Sequence, residues 1–147
     1  METINAGYIL SEDGKTAVIE TAAANGLALI PKEKRNPKEA TPFGTGELIK
    51  NAIRRGCRNI LLGIGGSATN DAGTGMLQAL GIRFRDEIGT SLGYGGKILT
   101  RIASIDESGV LPELKDCRFT IICDVYSPLF GPYGAAYVYA PQKGANS

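Results

Sequence analysis

Asn59-Ile-Leu-Leu-Gly-Ile-Gly-Gly-Ser-Ala-Thr-Asn-Asp-Ala-Gly-Thr-Gly-Met-Leu-Gln-Ala-Leu-Gly81 is the stretch that decides how this chain folds. Ile60 to Ile64 is apolar, Gly65-Gly66 interrupts it, small hydroxyl and amide residues follow, and Met76, Leu77 and Leu80 then share one helical face. The order is strand, glycine turn, helix. Such a turn leaves backbone N–H groups free at a helix N-terminus, where the dipole favours negative charge, so a phosphate or carboxylate can be held there. Ser67, Thr69 and Asn70 add side-chain donors. Asp71 makes the turn more than an anion cradle. A carboxylate repels a bare phosphate but suits Mg²⁺ or the proton of an attacking hydroxyl. Phosphoryl transfer needs that mixture.

The rest of the composition narrows the chemistry. At 147 residues the chain is about one domain long, enough to bury roughly two thirds of its unfolded surface. Lysine plus arginine number 16 against 15 aspartate plus glutamate, so no long-range field points to nucleic acid or a membrane surface. Histidine is absent, which removes Ser-His-Asp and Cys-His catalysis and every histidine-containing metal site. Chemistry must run on carboxylates, lysine, hydroxyls or backbone. Cys57, Cys117 and Cys123 form no Cys-x-x-Cys pair and read as buried, reduced thiols. Met1 to Gly7 lacks the regions of a signal peptide, and no apolar run approaches the ~20 residues of a membrane span. A cytoplasmic location is expected.

On the N-terminal side, Gly7–Leu10 and Thr16–Thr21 read as a strand pair joined through the Asp13-Gly14 turn. Gly14-Lys15-Thr16 has the tail of a P-loop, but Ile9 stands where the upstream glycine is required and a strand follows, so no Walker site is read. Ala22 to Ile30 is small and apolar, a short helix or a turn lying inside. Pro31 to Thr41 mixes charges of both signs with two prolines and reads as a solvated loop. Thr45 is then expected as the N-cap of a helix whose apolar face is Leu48, Ile49, Ala52 and Ile53 and which stops at Gly56.

On the C-terminal side, Gly73 and Gly75 are expected inside helix, at up to ~1 kcal/mol each, so a close backbone or a ligand must need the space. Ile82 to Arg85 is a short strand, Gly89 to Gly96 a loop, and Leu99 to Ile105 a strand or short helix. Phe119 to Cys123 is β-branched and apolar throughout, as in a parallel strand covered on both faces. Asp124, just past it, is then expected at the carboxyl edge of the sheet, where open α/β folds bind ligands. Ala135 to Ala140 reads as another strand, and Pro141 to Gly144 as a loop whose Lys143 is a surface lysine or a phosphate ligand. No boundary divides residues 1–147.

From Gly63 to Asp71 the sequence resembles the glycerate kinase family, and six further segments resemble family segments in order. These are Ala17–Leu29, Arg35–Pro37, Gly44–Ile49, Leu92–Gly96, Cys123–Val125, and a Gly-Ala pair followed by Ala140–Ala145. The resemblance implies ATP-dependent phosphorylation of D-glycerate with Mg²⁺, giving 2-phosphoglycerate in the commoner bacterial branch. It also implies a partial glycerate-kinase-type α/β fold, a flavodoxin-like layer with parts of an inserted second α/β domain. Gly65, Gly66, Ser67, Thr69, Asn70 and Asp71 match the family's most distinctive loop, and Asp124 and Lys143 match two later motifs. On electrostatic grounds Asp71 or Asp124 is the base that takes the glycerate hydroxyl proton, the other lying nearer the metal. The glycine-turn amides and Lys143 stabilise phosphoryl or carboxylate oxygens.

Ala72, Thr74 and Tyr126-Ser127 depart from the family pattern. The family's N-terminal Ser-Phe-Lys-Gly-like motif and its C-terminal glycine-rich and acidic motifs are not in this sequence, so it is expected to correspond to the central part of the family fold. Open sheet edges would then favour self-association or pairing with the missing segments. Two further functions stay open: a non-catalytic anion or nucleotide-binding module, and a dinucleotide-binding domain. The latter rests on Gly63-x-Gly65-x-x-Ala68 after a strand, with Asp86 and Glu87 about 20 residues on.

Overall fold

The computed structural model describes residues 3–145, so Met1 and Glu2 of the segment searched for a leader lie outside it. Its centre is a four-stranded sheet in the order β1-β2-β3-β6, from β1 (Ile9–Leu10), β2 (Thr16–Glu20), β3 (Asn59–Gly63) and β6 (Arg118–Ile122). The Asp13-Gly14 turn makes β1 and β2 antiparallel, with Gly14 at φ 66° supplying the left-handed step. β2, β3 and β6 are parallel, with Ala17 opposite Ile60 and Ile60 opposite Phe119. Parallel neighbours need long crossovers, and helices supply them.

The first crossover holds α1 (Ala22–Asn25) and α2 (Phe43–Arg54). The second holds α3 (Thr74–Ala79) and a small antiparallel pair, β4 (Arg83–Arg85) with β5 (Ser104–Asp106). The main core is the alternate set Ala17, Ile19, Ile60 and Leu62 from β2 and β3 against Ile49, Ala52 and Ile53 of α2, closed by Cys57 and Leu80. A lesser core of Phe84, Leu92 and Ile98 holds the small pair. Helices α2 and α3 touch so closely that a Cβ at Gly46 would press on the Met76 carbonyl oxygen and sit 2.6 Å from Ala79 Cβ. At Gly75 it would collide with Thr41 Oγ1 and lie 2.9 Å from Pro42 Cδ. Packing is what needs the Gly75 space.

Several expectations are corrected. Thr45 is not an N-cap: the helix begins earlier, at Phe43, and Thr45 lies fully buried inside it. Gly73 is not inside a helix but precedes α3 in the left-handed region, at φ 76°. Ala135 to Ala140 is not a strand. Ala135–Tyr139 is helix α4, in which Val138 N bonds Gly134 O, because two alanines after an extended glycine outweigh the alternating aromatic and β-branched pattern. Phe119 to Cys123 is not covered: β6 is an edge strand exposed along its length, Ile121 at 51% and Cys123 likewise open, since the helical layer stops over β2 and β3. Leu29, expected inside, is exposed, whereas Asn25 in the same run is buried.

Candidate active site

The carboxyl ends of the three parallel strands lead into most of the candidate site residues. After β2 the chain turns at Thr21 into α1; after β3 it enters the loop Ile64–Gly73; after β6 it reaches Asp124. Parallel pairing puts these segments on one edge of the sheet by necessity, the edge at which open α/β folds take their ligands. Thr21 N bonds Gly63 O, joining the first two.

The loop is held by the segment after β2. Leu27 N donates to Gly66 O and Ala68 N to Asn25 O, each at 2.8 Å, and Asn25 Nδ2 donates to Ser67 Oγ at 3.1 Å. Thr45 Oγ1, from α2, donates to Asn25 Oδ1 at 3.0 Å. Ser67 and Thr69 hydroxyls lie 2.9 Å apart, and Thr69 N donates to Ser67 Oγ. Gly66 takes φ 69°, and Gly65 and Gly66 offer exposed amides with no acceptor among the described residues.

Asp71 and Asp124 differ sharply. Asp71 is 1% exposed, and its carboxylate accepts from Gly73 N at 3.1 Å, Thr74 Oγ1 at 3.0 Å and Gly75 N at 3.0 Å. It satisfies the first free amides of α3, with Oδ2 taking two of the three bonds and Oδ1 one, so most of its acceptor capacity serves the fold. Asp124 is exposed and accepts no hydrogen bond from the described residues. Lys143, half-buried in the 3₁₀ turn Pro141–Lys143, donates from Nζ to Thr69 O at 2.5 Å. Burial pushes its ammonium below the usual lysine range, and the Asp71 charge partly offsets this.

The segments quoted for the family resemblance converge here. A Cβ at Gly96 would sit 2.6 Å from Asn70 O and 3.1 Å from Pro37 O, so the glycine-rich loop and the proline loop both press on the site. Arg35 donates to Leu27 O, Ile30 O and Gln142 O, clasping the segment after β2 to the segment of Lys143. Gly144 lies against the Arg35 backbone. Sequence reasoning passed over Arg35 as part of a solvated loop and Asn25 as part of an apolar run. A lone amide among alanines was the signal available for Asn25, since a buried amide must find partners.

Among the described residues no cluster of three metal-ligating side chains forms. Mg²⁺ asks for less, one or two carboxylates completed by phosphate oxygens and water. Asp71, 1% exposed and with three of its roughly four acceptor positions taken, suits that role less well than the exposed Asp124. The dinucleotide reading also meets an obstacle: α3 begins at Thr74, so Gly63 to Ala68 does not open a helix as the fingerprint requires. Asp86 is engaged with Thr90 N and Arg101 beside the small β pair.

Parallel strands with helical crossovers, and a hydroxyl-rich glycine loop at their carboxyl edge, define an open α/β protein. The chain belongs to the glycerate kinase family, which it matches over residues 1–147. It is 53% identical over 145 residues to glycerate 2-kinase of Escherichia coli (strain K12), covering 99% of this chain and 38% of that protein. It is 51% identical over 146 residues to glycerate kinase of Bacillus subtilis (strain 168), with the same shares covered. A crystal structure assigned as glycerate kinase 2 of Salmonella typhimurium LT2 superposes with a TM-score of 0.93 at 50% identity, covering 97% of this chain and 38% of that one. The fold is therefore a partial glycerate-kinase fold, and the chain spans 38% of the length of these relatives. No helix among the described residues is long and apolar enough to cross a membrane.

Proposed function

We propose that this chain forms the acceptor side of an ATP- and Mg²⁺-dependent phosphotransferase that phosphorylates D-glycerate, with 2-phosphoglycerate as product. One observation carries the reading: Lys143 folds onto Thr69, setting a cation beside the hydroxyl loop on the edge of the sheet where Asp124 stands free. Family membership supports the substrate class, and the Escherichia coli relative's name supports the 2-position.

In this reading the Gly65 and Gly66 amides, the Thr69 hydroxyl and Lys143 bind carboxylate or phosphoryl oxygens and stabilise the charge that spreads over them during transfer. Ser67 and Asn70 shape the loop. Asp124 accepts the hydroxyl proton of glycerate or holds Mg²⁺, which when bound neutralises phosphate charge. Asp71 fixes the loop to α3 and stays out of the proton transfer. A second reading, an anion-binding module without turnover, is favoured by that same commitment of Asp71, which leaves Asp124 without a second free carboxylate among the loop residues.

Thermal melts of the chain with D-glycerate, Mg-ATP or NAD, followed by assay for phosphoglycerate, separate the readings. Ligand at 100 times its dissociation constant stabilises by about 2.7 kcal/mol. Stabilisation with product formation supports the transferase, and stabilisation without product supports the module. A melt indifferent to glycerate and Mg-ATP removes both.

A further inference from the structure

Ser67 Oγ receives two donors, Asn25 Nδ2 at 3.1 Å and Thr69 N at 3.2 Å. A hydroxyl has two acceptor lone pairs and one proton. With both lone pairs engaged, the Ser67 proton must go to Thr69 Oγ1, 2.9 Å away. Thr69 Oγ1 then accepts, and its own proton has no acceptor among the described residues. Upstream, Thr45 Oγ1 donates to Asn25 Oδ1, and the NH₂ group of the same amide faces Ser67.

We infer that Asn25, held by Thr45, is a positioning residue that orders the protons Thr45 to Asn25 to Ser67 to Thr69 and presents the Thr69 O–H as a donor to a substrate oxyanion. The burial supports it: Thr45 is fully buried, Asn25 is 7% exposed and Thr69 9%, so water reaches the chain only at the partly exposed Ser67. Lys143 on the Thr69 carbonyl adds positive charge at the same end. Reversing the Asn25 amide would invert every step, leaving Thr69 Oγ1 to point a lone pair at the ligand. An oxyanion would then be repelled instead of bound. The inference rests on the phosphotransferase reading only in naming the ligand, a carboxylate or phosphoryl oxygen.

Neutron diffraction from deuterated crystals of the 147-residue chain reads the order without any ligand. Deuterium on Ser67 Oγ directed at Thr69 Oγ1 is the expected result. Deuterium on Thr69 Oγ1 directed at Ser67 overturns the inference, whatever the chain binds. In solution, calorimetric titration with D-glycerate compares the chain with Thr45→Val, which changes no charge and lies outside the loop. Affinity should fall about tenfold, the scale of one misdirected hydrogen bond to a charged group, with Asn25→Asp falling at least as far. Unchanged affinity in a folded Thr45→Val variant overturns the positioning role. If the unaltered chain binds no D-glycerate while the neutron order is as expected, the order stands and the glycerate reading fails.

Discussion

Lys143 Nζ donates to the carbonyl oxygen of Thr69 across 74 positions of sequence, joining the turn after α4 to the loop after β3. Removing it should loosen both ends at once. For Lys143→Met we expect faster amide exchange in 66–71 and 140–145 and a stability loss of about 1–2 kcal/mol, modest because the side chain is half-exposed. Exchange unchanged in either segment would contradict the tether.

The same lysine makes a pH prediction. Its ammonium is held below the ordinary range by burial, so in the window between its folded value and the ordinary lysine value the unfolded chain binds the extra proton. Stability must therefore rise with pH there. Urea midpoints followed as pH approaches the ordinary lysine value of about 10.4 should show that rise in the unaltered chain and a flatter profile in Lys143→Met.

Asp71 and Asp124 should respond oppositely to the same substitution. Asp71→Asn gives up carboxylate bonds to Gly73 N, Thr74 Oγ1 and Gly75 N and should cost about 2–3 kcal/mol in urea unfolding. Asp124→Asn should leave stability within about 0.5 kcal/mol while lowering glycerate phosphorylation by a factor of about 100 or more. Equal stability effects would erase the distinction drawn between them.

Gly46→Ala tests the contact of α2 with α3. Helix propensity alone favours alanine by about 1 kcal/mol. The Met76 carbonyl oxygen and Ala79 Cβ occupy the space, so we expect a net loss of about 1–3 kcal/mol by chemical denaturation. A stabilised variant would show that the helices separate freely.

The edge at β6 predicts association. Phe119, Ile121 and Ile122 are exposed on a strand whose outer side pairs with no described strand, and Leu129, Phe130 and Tyr133 lie open nearby. Such edges recruit further strands. Sedimentation velocity at rising concentration should show self-association that Ile121→Lys reduces; a monomer at every concentration would count against it.

Asn59 to Gly81 alone determined the strand, the glycine turn and the helix after it, because period and turn chemistry are local properties. Asp13-Gly14 likewise determined its hairpin, and the ordered segments from Ala17 to Ala145 determined the family. The tertiary structure alone decided the partners. Asp71 reads as a free carboxylate in sequence, yet the chain bends so that three donors close on it. Thr45 has the composition of a cap but sits within the first turn of its helix, where its hydroxyl finds Asn25. Ala135–Tyr139 holds the aromatic and β-branched residues of a strand, and helical bonding after Gly134 settles it otherwise. In each case the deciding interaction joins groups whose meeting depends on how the backbone turns in space, and a linear pattern holds no record of that distance.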